Sequence, residues 1–197
     1  MPNNVNKTKL HLIRTVKNYF KDELNQGGTN NSQIRRVLSL MEALEPNSNK
    51  EKVKTLPGCI HLPRTIEMSQ KSPAARIGSL IKDLSSEISW HQNPLYTEEN
   101  KGKHFMDNYG WSDLGILSSK KMSFGVLLLG PDTVYPLTSY ESEGIFIVIG
   151  GTPKWKSGNK PWVNVESGDM IYRPFGGAEG KKPGKEPMLA LYTWLYR

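Results

Sequence analysis

The chain has 197 residues, 37% of them hydrophobic, and a formal net charge of +7. That is enough apolar material for one core with an appended subdomain, which marks a soluble globular protein. A single cysteine, Cys59, excludes intrachain disulfides and a cysteine-based metal site.

No apolar run is long enough to cross a membrane, and the opening MPNNVNKTK lacks the apolar stretch of a secretory signal. The expected location is the cytoplasm, with no membrane partner. Residues 1–55 carry ten Lys/Arg against five Asp/Glu, so much of the basic excess lies early in the chain. These charges are scattered along two helical segments and are not clustered with aromatics, which argues against a nucleic-acid partner and for solvated helix faces.

In chain order, residues 9–25 place Leu10, Ile13, Phe20 and Leu24 near helical spacing, and Gly27-Gly28 stops the pattern. Asn31 or Ser32 can cap a second helix, in which Ile34, Val37, Leu38, Met41 and Leu44 form one stripe ended by Pro46. Residues 47–54 read as a polar linker, and Leu56-Pro57-Gly58-Cys59 opens an irregular stretch. Ser72-Pro73 then starts a third helix, with Ile77, Leu80, Ile81, Leu84 and Ile88 on one side, ending near Trp90. The three helices are expected to cover one end or one face of a β-domain.

Strands are expected over residues 122–129, 144–149, 153–155, 162–165, 169–172 and 188–196. Short strands separated by Gly/Pro turns, without β-α-β alternation, predict a small barrel or jelly roll. The segment 176–185, rich in Gly and Lys, reads as a lid over the mouth of that barrel or as a solvated turn. The four histidines, His11, His61, His91 and His104, show no ligand spacing on a predicted strand and read as surface or hydrogen-bonded groups.

The centre of the chain is residues 135–155, YPLTSYESEGIFIVIGGTPKW. Its β-branched run, Ile145 to Ile149, closed by Gly150-Gly151, reads as a buried strand and a hairpin. The stretch resembles the cupin-type dimethylsulfoniopropionate (DMSP) lyases, whose corresponding segment reads roughly Y-P-x-H-x-H-x-x-x-E-x-Y before a Gly-rich turn. Tyr135-Pro136, Gly151 and Trp155 keep that frame. Further along it, Trp90 to Tyr96, Phe105, Asn108-Tyr109, Gly125, Leu127 to Pro131, Trp162, Gly168, Glu186-Pro187 and the terminal Leu189-Ala190-Leu191-Tyr192-x-Trp194 are in register. The resemblance covers roughly residues 56–197. It implies a mainly β fold with N-terminal helices: a helical segment over 1–55, then a cupin domain with a leading helix over 56–197, the two forming one compact unit.

The resemblance also implies a divalent metal held by three His and one Glu, with a Tyr removing a proton from the substrate. Here Thr138, Tyr140 and Gly144 stand where the family has its two His and its Glu, Phe146 where it has the next Tyr, and Glu179 where it has the last His. Tyr140 and Glu179 alone fall short of the three protein ligands an open catalytic site provides. No metal site and no cofactor are therefore expected. An unassisted phenol, with a pKa of about 10, is phenolate to only about one part in a thousand at neutral pH, so little DMSP lyase activity is expected.

The residues expected to remain at the site are Tyr135, Tyr140 and Glu179 as proton-transfer groups, with Thr138, Phe146, Trp155, Tyr172 and Arg173 binding substrate. Arg173 is placed to anchor a carboxylate, and the aromatic rings to receive a cationic or zwitterionic small molecule. A homodimer is compatible with the sequence. The leading expectation is a metal-independent enzyme working by elimination, isomerisation, dehydration or cyclisation. The alternatives are a noncatalytic binding or interaction cupin, and a metal-dependent lyase with a rearranged site.

Overall fold

A computed structural model describes residues 2–27, 30–47, 52–117 and 119–197. Helix α1 (Pro2–Asn25) starts earlier than its apolar pattern predicts and buries Leu12, Ile13, Val16 and Phe20. Gly27, with φ of +77°, follows its end in a conformation that favours glycine. Helix α2 (Asn31–Met41) buries Ile34, Val37 and Met41. It stops short of Leu44 because the residue before Pro46 is pushed towards extended geometry, and β1 (Glu45–Pro46) pairs with β3 (Ile116–Leu117). Gly28, expected to share in stopping α1, and residues 48–51 of the expected linker lie outside the described residues.

The stretch expected to be irregular is more ordered than its sequence suggests. A 3-10 turn, Pro57–His61, leads into α3 (Leu62–Ser69), with Pro63 in its first turn. Helix α4 (Ala75–Leu84) is shorter than the helix expected to run to Trp90. Two serines follow Leu84, and the chain then extends so that the Trp90 amide donates to Lys54 O at 2.8 Å and the His91 amide to Trp111 O at 2.7 Å. Two short helices, α5 (Glu98–Lys101) and α6 (Lys103–Asn108), complete the helical elements.

Beside the small β1–β3 pair, the described β-structure is two facing antiparallel sheets. One has the order β2 (Tyr109–Ser112), β4 (Met122–Leu129), β11 (Met188–Leu195), β6 (Glu143–Gly150), β9 (Met170–Arg173). The other has the order β5 (Tyr135–Ser139), β10 (Ala178–Lys182), β7 (Lys154–Ser157), β8 (Val163–Asn164). Strands β1, β2, β3, β5 and β10 were not among the expected strands, and β10 replaces the lid or solvated turn expected over 176–185. Its alternation is only five residues long and is flanked by Gly and Pro, which hides the period of two.

The larger sheet is buried on both faces, and its side-chain parity divides the protein. Ile145, Ile147 and Ile149 of β6, with Phe124, Val126 and Leu128 of β4 and Leu189 and Leu191 of β11, face the helices and join their core. Phe146 and Val148, with Leu127, Leu129, Ala190 and Tyr192, face the second sheet and form the barrel interior. The helices therefore cover one outer face of a cupin barrel. A methyl on Gly150 would run into the Thr65 carbonyl, so α3 sits directly on β6.

Candidate functional site

The register of the smaller sheet determines what enters the barrel. Lys181 of β10 lies opposite Tyr135 on β5 and Trp155 on β7, and Glu179 lies opposite Thr138 and Ser157. Residues directly opposite in an antiparallel pair share a face, so Tyr135, Lys181 and Trp155 form one cross-strand row. Phe146 approaches from the larger sheet. The Lys181 ammonium sits 4.9 Å from the ring centre of Tyr135 and 4.7 Å from those of Phe146 and Trp155. Three ring faces thus hold one cation, a favourable arrangement where water is excluded.

Lys181 is also the centre of a buried charge cluster. Its Nζ is 2.9 Å from Glu179 Oε1, and Arg173 Nε is 3.4 Å from the same oxygen, with all three side chains at most 2% exposed. These are ion-pair contacts without hydrogen-bond alignment, and Glu179 Oε2 has no hydrogen-bond partner among the described residues. Arg173 is held from behind: Nη1 donates to Ser142 O at 2.6 Å and Nη2 to Ser142 Oγ at 2.9 Å. Burial lowers the pKa of both cations, against the pull of Glu179.

Arg173 pairs with Gly144 across β6 and β9. A methyl on Gly144 would meet Arg173 Nη2 at 3.1 Å and Phe146 Cε2 at 3.0 Å. The guanidinium therefore occupies the space that a side chain at 144 would need.

Above Lys181 opens a cavity of about 380 Å³, walled chiefly by Tyr109, Trp111, Tyr135, Tyr140, Tyr192 and Trp194. The hydroxyls of Tyr96, Tyr135 and Tyr140 form a chain, 3.2 Å between the first two and 2.7 Å between the last two. Burial, with the neighbouring Tyr140 and Tyr109 hydroxyls, pushes the Tyr135 phenol far above its ordinary value. Tyr140 is pushed up to about 12, mainly by burial and against its bond to Tyr135. At neutral pH both are protonated, so they act as hydrogen-bond and proton donors and not as resting bases.

The residues expected at the site are only partly brought together. Tyr135, Tyr140 and Phe146 line the cavity. Trp155 lies behind Lys181 as part of its cage, and Glu179 lies beneath it. Arg173 is buried and committed to Ser142 and Glu179, where a carboxylate anchor was expected. Thr138 is half-buried and spends its hydroxyl on Pro136 O at 3.0 Å. Tyr172 faces the helix layer, because Arg173 beside it takes the inward position on β9. Sequence reasoning missed Lys181 and the far aromatic wall. The available signal was that 179 and 181 share strand parity.

The metal that the family resemblance implies does not suit these residues. No group of three or more His, Cys, Asp or Glu side chains converges anywhere among the described residues. The one carboxylate at the site is already engaged by two cations. The histidines are elsewhere: His61 and His104 both contact Asn108, His91 packs on Trp111, and His11 lies beside Arg76.

The sequence profile of the dimethylsulfoniopropionate lyases matches residues 15–190. The chain belongs to the DMSP lyase family. Among curated proteins none matches it. The chain is similar in fold to a protein from a crystallographic study of the DMSP lyases RdDddP and RnDddQII. The TM-score is 0.77 at 18% identity, covering 97% of this chain and 93% of that one. It is also similar to the DMSP lyase DddQ from Ruegeria pomeroyi DSS-3, with a TM-score of 0.61 at 17% identity over 90% of this chain and 91% of that one. This DMSP lyase family member keeps the barrel, and of the positions where the resemblance places metal ligands only Glu179 belongs to the buried Lys-Glu-Arg cluster, the others being Thr138, Tyr140 and Gly144. No described helix is long and apolar enough to cross a membrane.

Proposed function

We propose that this chain is a metal-independent, lyase-like cupin that binds a small organic molecule in its aromatic cavity and acts on it by proton transfer. Tyr135 and Tyr140 are the proton donors. The Lys181–Glu179 pair is the proton acceptor: Lys181 passes one proton to Glu179 and takes one from the substrate, so the pair gains a single proton. The observation that carries this reading is the 2.9 Å contact between Lys181 and Glu179 at the floor of a cavity lined by donor hydroxyls.

The reaction class is an elimination or isomerisation at a carbon next to a carboxyl or carbonyl group, with the phenols stabilising developing oxygen charge. The test is turnover of DMSP and of other β-substituted carboxylic acids by protein dialysed against chelator, beside Lys181→Met. Chelator-resistant turnover that Lys181→Met abolishes supports the reading. Turnover that vanishes with chelator and returns with zinc, iron or manganese overturns it.

A noncatalytic binding role is the second reading. It is favoured by one observation: Glu179 is shut behind Lys181 and doubly ion-paired. Saturable ligand binding without turnover of any acid in the panel would decide for it.

A further inference from the structure

The cluster beneath the cavity does not balance. It holds two buried cations, Arg173 and Lys181, against one buried carboxylate, Glu179, leaving an excess positive charge on side chains at most 2% exposed. Charges removed from water are ordinarily paired. Arg173 does not line the cavity: Nη1 and Nη2 are spent on Ser142 and Nε lies against Glu179, whereas Lys181 lines the cavity. The ammonium has three donors, and the one acceptor within its reach among the described residues is Glu179 Oε1. The unpaired charge therefore faces the cavity.

Donors are in excess there as well. Trp194, on the cavity wall, has its Nε1–H buried without a partner. The Tyr135–Tyr140 hydroxyl pair can turn one O–H outward. The ring faces of Tyr135, Phe146 and Trp155, which could otherwise attract a ligand cation, are already occupied by Lys181. The remaining walls are flat aromatic surface from Tyr109, Trp111 and Tyr192.

We propose that Lys181 is a tethered cation that stands in for a metal ion, and that the cavity takes a small monocarboxylic acid with a flat, uncharged tail. Its carboxylate lies on Lys181 Nζ and the Tyr135–Tyr140 hydroxyls, and its tail lies between the aromatic walls. The volume, about 380 Å³, falls at the small end of ligand pockets, which suits an acid of one ring or fewer. The substrate class named here deepens the reading above and rests on its cavity, but it needs no turnover.

The test is calorimetric titration of the full chain with benzoate, phenylacetate, cinnamate and butanoate, each beside its uncharged amide. Saturable binding of at least one acid below about 10 mM, at least tenfold tighter than its amide, is expected. Lys181→Met should weaken that acid by at least tenfold, since a charge-assisted hydrogen bond is lost, and leave the amide within threefold. The acid-to-amide ratio is read on the unaltered protein, so it stands even if Lys181→Met does not fold. Equal binding of acid and amide, undiminished acid binding by Lys181→Met, or no saturation by any acid overturns the proposal. Acid binding without turnover sinks the enzymatic reading alone; turnover with equal binding of acid and amide sinks the carboxylate anchor alone.

Discussion

Lys181 Nζ and Glu179 Oε1 meet at 2.9 Å inside the barrel, two residues apart on one strand and both on its inward face. The contact is made beneath three aromatic rings and beside a second cation, Arg173. Removing different members of this cluster has unequal consequences, because only one of its three charges is negative.

Glu179→Gln leaves Lys181 and Arg173 buried together without a counter-charge. Breaking a buried ion pair from one side costs about 3–5 kcal/mol, most of it the burden of the abandoned charge. Lys181→Met leaves Glu179 with Arg173 at 3.4 Å, so no buried charge is left without a counter-charge, and it fills the cage with an apolar chain of similar length. Urea unfolding should therefore show Glu179→Gln destabilised by several times more than Lys181→Met. Equal losses would mean that the cluster is not a charge-balanced unit.

Stability against pH separates the lysine from the tyrosines by sign. Burial holds the folded Lys181 pKa below its unfolded value of about 10.4. Between those two values the unfolded chain binds the extra proton, so the Lys181 contribution to stability rises with pH and levels off near pH 10. Tyr135, Tyr140, Tyr109 and Tyr192 are raised instead, all chiefly by burial, Tyr140 to about 12. Above pH 10 the unfolded chain loses phenolic protons first, and stability falls. The difference in unfolding free energy between the parent and Lys181→Met should shift in the parent's favour as pH rises towards 10. Tyrosinate absorbance from the four buried phenols should appear together with alkaline unfolding. A pH-independent difference, or early ionisation of all the tyrosines, contradicts this account.

How far the sequence revealed the fold depends on the length of each alternation. The eight-residue strands β4, β6 and β11 are apolar on both faces and bounded by turn residues, and they were legible as buried strands. Strand β10 was not, because Glu179 and Lys181 are the residue types least expected inside, and their parity shows only once Tyr135 and Trp155 are seen beside them. Helix α3 carried a start signal, Pro63 after His61-Leu62, but eight residues between two irregular stretches gave little periodicity. The candidate site was half legible. The family frame located Tyr135, Tyr140 and Phe146 on the cavity wall, but the partner that gives Glu179 its meaning lay in a segment read as a loop.

Tyr135→Phe tests the hydroxyl chain. It leaves the ring that covers Lys181 in place and removes the bonds to Tyr140 at 2.7 Å and Tyr96 at 3.2 Å. Two half-buried hydroxyls lose their common partner, at a cost of about 1–2 kcal/mol. If Tyr135 is the proton donor, turnover should fall at least a hundredfold while acid binding changes by less than tenfold. Tyr140→Phe should lower turnover comparably, since both hydroxyls donate, and a much milder loss would mean that Tyr140 acts only through Tyr135.

Gly150→Ala tests the seat of the helical layer, away from the cavity. Its methyl would collide with the backbone carbonyl of Thr65, which belongs to α3 and has no rotamer by which to escape. Overpacking in a well-packed core costs about 1–3 kcal/mol when side chains can yield, and a backbone neighbour places this substitution at or above that range. α3 must then lift from β6, loosening the contact by which the helices cover the barrel. Hydrogen exchange should show faster opening of α3 and α4, while the amides of β7 and β10 keep their protection. Uniform loss of protection across helices and both sheets would show instead that the helical layer and the barrel open as one cooperative unit.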